Sequence, residues 1–404
     1  MSRSIFFLLI IITTVLSTSA VLARVENQVP TTGSGAKILP GHPSVFDQQP
    51  AVDVAILLDT SNSMDGLINQ AKSQLWTIVQ QFARAEKHGN APVLRVALFE
   101  YGNTNLPVTE GFLRQVVPLT DDLDVLSEAL FALTTNGGDE YCGQVIDECI
   151  TRLDWSSAPG SYQAVFIAGN EPFTQGPVDY HFAIGRAAER GIIINTIHCG
   201  DEATGIEGKW KDGAQLAHGE FFNINQDRVV VHIPCPQDAE IIRLNKEMNK
   251  TYLWFGKSDK RAYCLDNQAA QDSNALGLSP SVAVGRSVTK SSNAYKNTNR
   301  DLVDGLEYDS EILENVPEDE LPDVMQEMTP EERVTYLDGM VSERTKLKKL
   351  INNESLEREI FLKEERIRRA EENGETTLGD AVVGAIQKQL VEAGFEVSGA
   401  HELN

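Results

Sequence analysis

Between positions 50 and 233 the chain alternates short, nearly unbroken apolar runs with longer stretches in which apolar residues recur every three or four positions. The runs Val52 to Leu58, Val93 to Tyr101, Gln115 to Leu119, Ala164 to Ala168 and Ile192 to Ile197 predict strands, with a last pair near Phe221 and over Val229 to Ile233. Leu67 to Ala85, Leu123 to Leu133, Gly143 to Leu153 and Phe182 to Arg190 predict helices between them. Strands that are apolar throughout are buried on both faces, and intervening helices let successive strands run parallel. The pattern predicts an α/β fold: a doubly wound, mostly parallel sheet over 50–233.

Beyond Pro234 the pattern changes. Residues 240–256 suggest a helix and a short strand, whereas 266–300 are rich in Ser, Asn and Ala and poor in large apolar side chains. Residues 234–310 are therefore expected to form a mixed, partly irregular extension, followed over 311–404 by an acidic helical region. Residues 301–332 hold thirteen acidic side chains and no Lys or Arg, a composition that favours a solvated, exposed segment. Thr329-Pro330-Glu331-Glu332 places a capping hydroxyl, a proline at the first helical position and an acid able to reach back to the cap. A helix should run from there to about Asn373, with Leu337, Met340, Leu347, Ile351, Leu356, Ile360 and Ile367 as its apolar stripe. Arg344 and Lys363 interrupt that stripe, leaving a coiled coil, a helical hairpin and self-association through the C-terminal helices open. A final helix is expected after Thr377, with Gly394 as its stop.

Composition narrows the function. A globular balance of 41% hydrophobic and 23% charged residues in 404 is joined to a formal charge of −24, which disfavours nucleic acid and anionic membranes as partners. The opening segment, basic at Arg3 and apolar from Ile5 to Leu16, ends in Val21-Leu22-Ala23 and reads as a signal peptide over 1–23. A flexible linker over 24–49 follows, and no later segment is apolar enough to span a membrane. The mature chain is expected to be secreted or periplasmic.

In an open α/β sheet, ligands bind beyond the carboxyl ends of the strands, where the strand order reverses. The first predicted strand ends in Asp59-Thr60-Ser61-Asn62-Ser63. A carboxylate followed by hydroxyls two and four positions on can converge on one point, offering hard oxygen donors suited to Mg²⁺ or Mn²⁺. In this motif and its placement the sequence resembles the von Willebrand factor type A family, whose metal-ion-dependent adhesion site uses Asp-x-Ser-x-Ser. The resemblance covers 50–233 and implies a divalent cation held by the first loop, a Thr of a second loop and an Asp of a third. An acidic side chain of a protein ligand would complete the coordination. The second loop, Thr134-Thr135-Asn136-Gly137-Gly138-Asp139-Glu140, carries a Gly-Gly-Asp form similar to that of bacterial and extracellular-matrix members, and Asp139 is aligned with the family's Thr. The third loop shows Asn170 where the family has Asp, with Glu171 beside it. The expected metal set is thus Asp59, Ser61, Ser63, Asp139 and Asn170. A degenerate site that holds no ion is the alternative.

Five cysteines in an oxidising compartment can pair, and the odd count leaves at least one thiol unpaired within the chain. Cys142 follows the second loop and Cys199 ends a strand at the same edge of the predicted sheet, so a Cys142–Cys199 disulfide is expected. The pairing of Cys149, Cys235 and Cys264 stays open. No Gly-x-Ser-x-Gly, His-Glu-x-x-His or phosphate-binding glycine motif occurs, so a non-enzymatic protein is expected. Two functions remain: adhesion or envelope interaction through the cation site, or a structural assembly subunit in which the α/β domain is a scaffold and the C-terminal helices make the contacts.

Overall fold

A computed structural model describes residues 49–224, 233–373 and 378–397. The expected signal peptide, the linker up to residue 48, and the predicted strand Val229 to Ile233 apart from its last residue lie outside the described residues.

The strands and helices of the α/β part follow in chain order as β1 (Ala51–Asp59), α1 (Ile68–Phe82), β2 (Ala85–Glu86), β3 (Val93–Tyr101), β4 (Leu113–Thr120), α2 (Leu123–Ala132), α3 (Cys142–Arg152), β5 (Tyr162–Gly169), α4 (Tyr180–Glu189), β6 (Ile193–Cys199), α5 (Glu202–Glu207), α6 (Trp210–Leu216) and β7 (Phe221–Ile224). The six-stranded sheet has the order β4-β3-β1-β5-β6-β7, parallel except for β4, which runs antiparallel to β3 at one edge. All nine residues of β1 are buried, as suits a central strand, and Asp53, the acid within its apolar run, pairs with Arg95 at 2.7 Å. Its side chains divide by period two: Val52, Val54, Ile56 and Leu58 face one core, and Ala55 and Leu57 the other. The chain leaves β1 toward β3 and β4, then crosses back to β5 on the other side of β1. The order therefore reverses at β1, where the loops after β1 and β5 meet.

The remainder is helical: α7 (Asp238–Asn249), α8 (Ser258–Leu278), α9 (Pro280–Ser291), the one-turn α10 (Leu302–Gly305), α11 (Ile312–Asn315) and α12 (Asp323–Gln326), the long α13 (Pro330–Asn373) and α14 (Leu378–Glu392), closed by β8 (Glu396–Val397), which pairs with β2. The expected capping box is present: Thr329 N donates to Glu332 Oε2 at 2.8 Å and Glu332 N to Thr329 Oγ1 at 3.3 Å. These helices close over the sheet. Ile241, Leu244 and Met248 of α7, Val282 and Val288 of α9, Ile351 of α13, and Val382, Ile386 and Leu390 of α14 share one core with Val54, Ile56 and α1. The described residues accordingly pack into one compact unit.

Two expectations for this region do not hold. Residues 266–300 build a core despite their polarity, because small residues let α8 and α9 approach and buried charges pair across them. Arg286 Nε reaches Asp272 Oδ1 at 2.6 Å and its Nη2 reaches Asp124 Oδ1 at 2.7 Å, while Lys290 Nζ lies 3.1 Å from Asp272 Oδ2. The acidic segment 301–332 is not simply solvated either. Leu302, Val303, Ile312, Leu321 and Met325 form a small core with Leu253 and Leu337, and Arg344 reaches in from α13 to Asp301 at 2.6 Å and Asp304 at 2.8 Å. The arginine that breaks the apolar stripe in the sequence is the counter-ion that lets the acidic segment compact.

The expected Cys142–Cys199 disulfide is absent, and all five cysteines are free and buried. Cys142 packs in the core on one face of the sheet and Cys199 in the core on the other, so the sheet stands between them.

Candidate metal centre

The site is built from the backbone of the switch point upward. Asp59 is the last residue of β1, and the chain then turns through a short 3-10 segment, Asn62–Met64. Thr60 N donates to Tyr101 O at 2.9 Å, which ties the first loop to the end of β3. Ser61 N donates to Asp59 Oδ1 at 2.7 Å. The Ser61 and Ser63 hydroxyls are 2.6 Å apart, and Ser63 Oγ donates to Asn170 Oδ1 at 2.9 Å. Asp59, Ser61, Ser63 and Asn170 therefore converge as the sequence suggests, from the ends of the adjacent strands β1 and β5.

Asp139 does not join them. Its carboxylate is exposed and accepts a hydrogen bond from the Tyr141 hydroxyl at 3.2 Å. The next residue, Glu140, is the one buried beside Asp59. A Cβ added at Gly102 would lie 2.6 Å from Asp59 Oδ1 and 3.0 Å from Glu140 Cγ, which places both carboxylates around that glycine. Gly102 also has φ +77°, a conformation that suits residues without a Cβ. The second loop reaches this position by backbone contact: Thr104 N donates to Gly137 O at 2.6 Å, Asn136 N donates to Thr60 O at 2.9 Å, and a Cβ at Gly138 would meet Gly102 O at 2.4 Å. The Gly-Gly pair is thus explained by close approach, and it delivers Glu140 rather than Asp139.

Both inner carboxylates are costly to ionise in this setting. Burial raises Asp59 from 3.8 to about 7, only partly opposed by the backbone and hydroxyl of Ser61 and the backbone of Asn170, and Glu171 adds repulsion. Burial and then the Asp59 carboxylate raise Glu140 from 4.5 to about 7. Asp59 Oδ2 is buried and accepts no hydrogen bond of normal geometry. An orphaned carboxylate oxygen beside a second acid, two hydroxyls and an amide oxygen fits a hard divalent cation, which would supply the missing partner and the missing positive charge. Among the described residues no group of three His, Cys, Asp or Glu is placed to hold a metal, so any such centre draws on hydroxyl and amide oxygens as well.

The third loop is held from behind. His198, on β6, has its two ring nitrogens 3.2 Å from Asn170 O and 2.9 Å from Asn223 Oδ1, and Trp210 Nε1 donates to Glu171 O at 2.8 Å. His198 is thus a brace for the loop that carries Asn170. The Tyr101 hydroxyl, beneath Asp59, donates to Ala168 O at 3.1 Å. Sequence reasoning missed Glu140 as the inner acid. The available signal was that Glu140, next to the apolar start of α3, is better placed for burial than Asp139.

Residues 53–206 match the von Willebrand factor type A domain, over the same strands and loops. No curated protein sequence matches the chain. Among solved structures, proximal thread matrix protein 1 from the mussel byssus is similar at 14% identity, with 45% of this chain and 43% of that chain covered and a TM-score of 0.34. The chain thus spans less than half the length of the mussel protein. A structure of the same mussel protein with a zinc-occupied MIDAS motif aligns at 11% identity, covering 45% of this chain and 43% of that one, with a TM-score of 0.33. The conserved hypothetical protein BatB from Bacteroides thetaiotaomicron aligns at 17% identity over 43% of this chain and 90% of its own, with a TM-score of 0.33. From the family match, the strand order and the Asp59-x-Ser61-x-Ser63 loop at the switch point, residues 53–206 are a von Willebrand factor type A domain.

Proposed function

We propose that the protein is a secreted or periplasmic, non-catalytic binding protein that captures a protein ligand at a divalent-cation site. Asp59, Ser61, Ser63, Glu140 and Asn170 would hold the ion. The observation that carries this reading is the buried Asp59 Oδ2, which accepts no hydrogen bond of normal geometry. Mg²⁺ or Mn²⁺ would act there as a Lewis acid whose open position accepts a carboxylate of the ligand.

The chain's own residues set how strong that attraction is. Asp59 and Glu140 together carry the charge of one divalent ion, so a bound cation is formally neutralised and its pull on an external carboxylate is reduced. Ser63 and Asn170 lie nearer the surface than Asp59 and Glu140, and the hydrogen bond between them is exposed. The acidic surface of the chain, with a net charge of −24, further disfavours acidic partners away from the ion. These features favour a selective, moderate interaction. Among the described residues no helix is long and apolar enough to cross a membrane.

Metal-dependent thermal unfolding tests the reading. A cation that binds only the folded state at about 100 times its Kd stabilises it by about 2.7 kcal/mol. Millimolar Mg²⁺ or Mn²⁺ should raise the midpoint above that in chelator, and Asp59→Ala should remove the increment. Equal midpoints in metal and in chelator for the unmutated chain would leave the scaffold reading, in which the domain is a spacer.

A further inference from the structure

Between the end of α9, the one-turn α10 and the middle of α13 lies a cavity of about 500 Å³, lined by none of the residues that converge on Asp59. Ligand pockets span about 300–1,000 Å³. One wall is a single face of α13, where Val341, Arg344, Lys348 and Asn352 follow one another at three- and four-residue steps. Val303 and Leu306, at α10, line the cavity together with Val341 and make part of it apolar. Three cations, Arg344, Lys348 and Lys349, share the lining with two acids, Asp304 and Glu307. Both acids are already engaged. Asp304 accepts from Arg344 at 2.8 Å and from Asn297 N at 2.9 Å, one bond to each oxygen, and Glu307 pairs with Lys296 at 3.4 Å. Arg344 is itself held by Asp301, Asp304 and Thr251. Lys348 differs from all of these. It is half-buried, and among the described residues its ammonium has no hydrogen-bond acceptor; burial lowers its pKa, and the attraction of Asp304 is set against the repulsion of Arg344.

We propose that this cavity binds a small organic monocarboxylate, with the carboxylate at Lys348 and the apolar part of the molecule against Val303, Leu306 and Val341. A partly desolvated ammonium without an acceptor gains most from an anion that brings one. Further donors stand in the same lining. Ser291 Oγ donates to Asn352 Oδ1 at 2.8 Å, which leaves the Asn352 amide nitrogen, like that of Asn293, to donate to a second carboxylate oxygen. The charged groups of the wall sum to one positive charge, which matches one carboxylate and disfavours a phosphate dianion. The chain's net charge of −24 acts weakly here, because exposed charges beyond about 8 Å are screened at physiological ionic strength. This site is separate from the cation centre and does not rest on it.

Hexanoate, a monocarboxylate with a short apolar tail, tests the proposal against the full chain, with chelator present so that no cation can take the carboxylate. Ligand-observed NMR follows binding at millimolar concentrations. The expected result is saturable binding that neither hexylamine nor inorganic phosphate displaces, with acetate several-fold weaker for want of a tail. Lys348→Gln should weaken hexanoate roughly tenfold, the worth of one hydrogen bond to a charged group. Lys346→Gln, which removes the same charge from an exposed position of α13 outside the cavity, should leave binding unchanged. Circular dichroism checks that both variants keep their helix content. Absence of saturable binding, displacement by phosphate, a Lys348→Gln chain that binds as well as the original, or an equal loss in Lys346→Gln would overturn the proposal.

Discussion

Asp139 and Glu140 are adjacent acids with opposite surroundings, one exposed beside the Tyr141 hydroxyl and one buried beside Asp59. Glu140→Gln should therefore lower the stabilisation by metal sharply, whereas Asp139→Asn should leave it nearly unchanged, as read by the metal-dependent shift in unfolding midpoint. The same carboxylates give the sign of the pH effect. In the metal-free protein Asp59 and Glu140 titrate near 7, and protons held there must leave before a cation binds. Metal affinity should fall as pH drops through 7, by up to about tenfold per unit for each carboxylate, and level off above it. Calorimetric titration with Mn²⁺ at pH 6 and pH 8 checks this, and a pH-independent affinity would exclude both acids as ligands. Burial also pushes the Cys142, Cys149 and Cys199 thiols up, which removes their nucleophilic thiolates. These three should resist alkylation in the native protein, and all five cysteines should react on unfolding without a reductant.

At the level of elements, the buried ion pairs hold the C-terminal helices in place. Arg344 donates to Asp301, Asp304 and Thr251, and its guanidinium lies 3.9 Å from the centre of the Tyr252 ring. Arg344→Ala leaves two buried carboxylates without their counter-ion and should cost about 3–5 kcal/mol in chemical denaturation. A loss below about 1 kcal/mol would mean that the acidic segment compacts without it. This arrangement also explains what the sequence concealed. The strands β1, β3, β5 and β6 were legible because each is a continuous local run, and the Asp59 motif because its three residues lie within five positions. Asp272 with Arg286 and Lys290, or Asp301 with Arg344, are pairs formed across helices, and each member on its own reads as a solvated charge. The choice of Glu140 over Asp139 likewise depends on Gly138 meeting Gly102, a contact between distant segments.

For the whole molecule, the type A domain and the helices after it share a core. The extension is needed for the fold, because truncation at 238 would uncover the apolar surface that α7, α9, α13 and α14 bury. A fragment of residues 46–238 should aggregate or bind a hydrophobic dye, and a soluble fragment with a single cooperative transition would refute this. Individual contacts make the dependence specific. Gln389 of α14 accepts from the Tyr162 hydroxyl at 2.6 Å and donates to Asn195 Oδ1 at 2.8 Å, reaching two strands of the sheet at once.

The pairing of β8 with β2, together with the packing of α14 on the sheet, bears on the timing of folding. The residues that seal this side of the sheet leave the ribosome long after β7, so a nascent chain that already contains every strand of the large sheet still lacks part of its core. Until that late segment arrives, the earlier strands remain available to chaperones and accessible to proteases. Under the export proposed above, this delay would keep the chain open for passage as an extended thread.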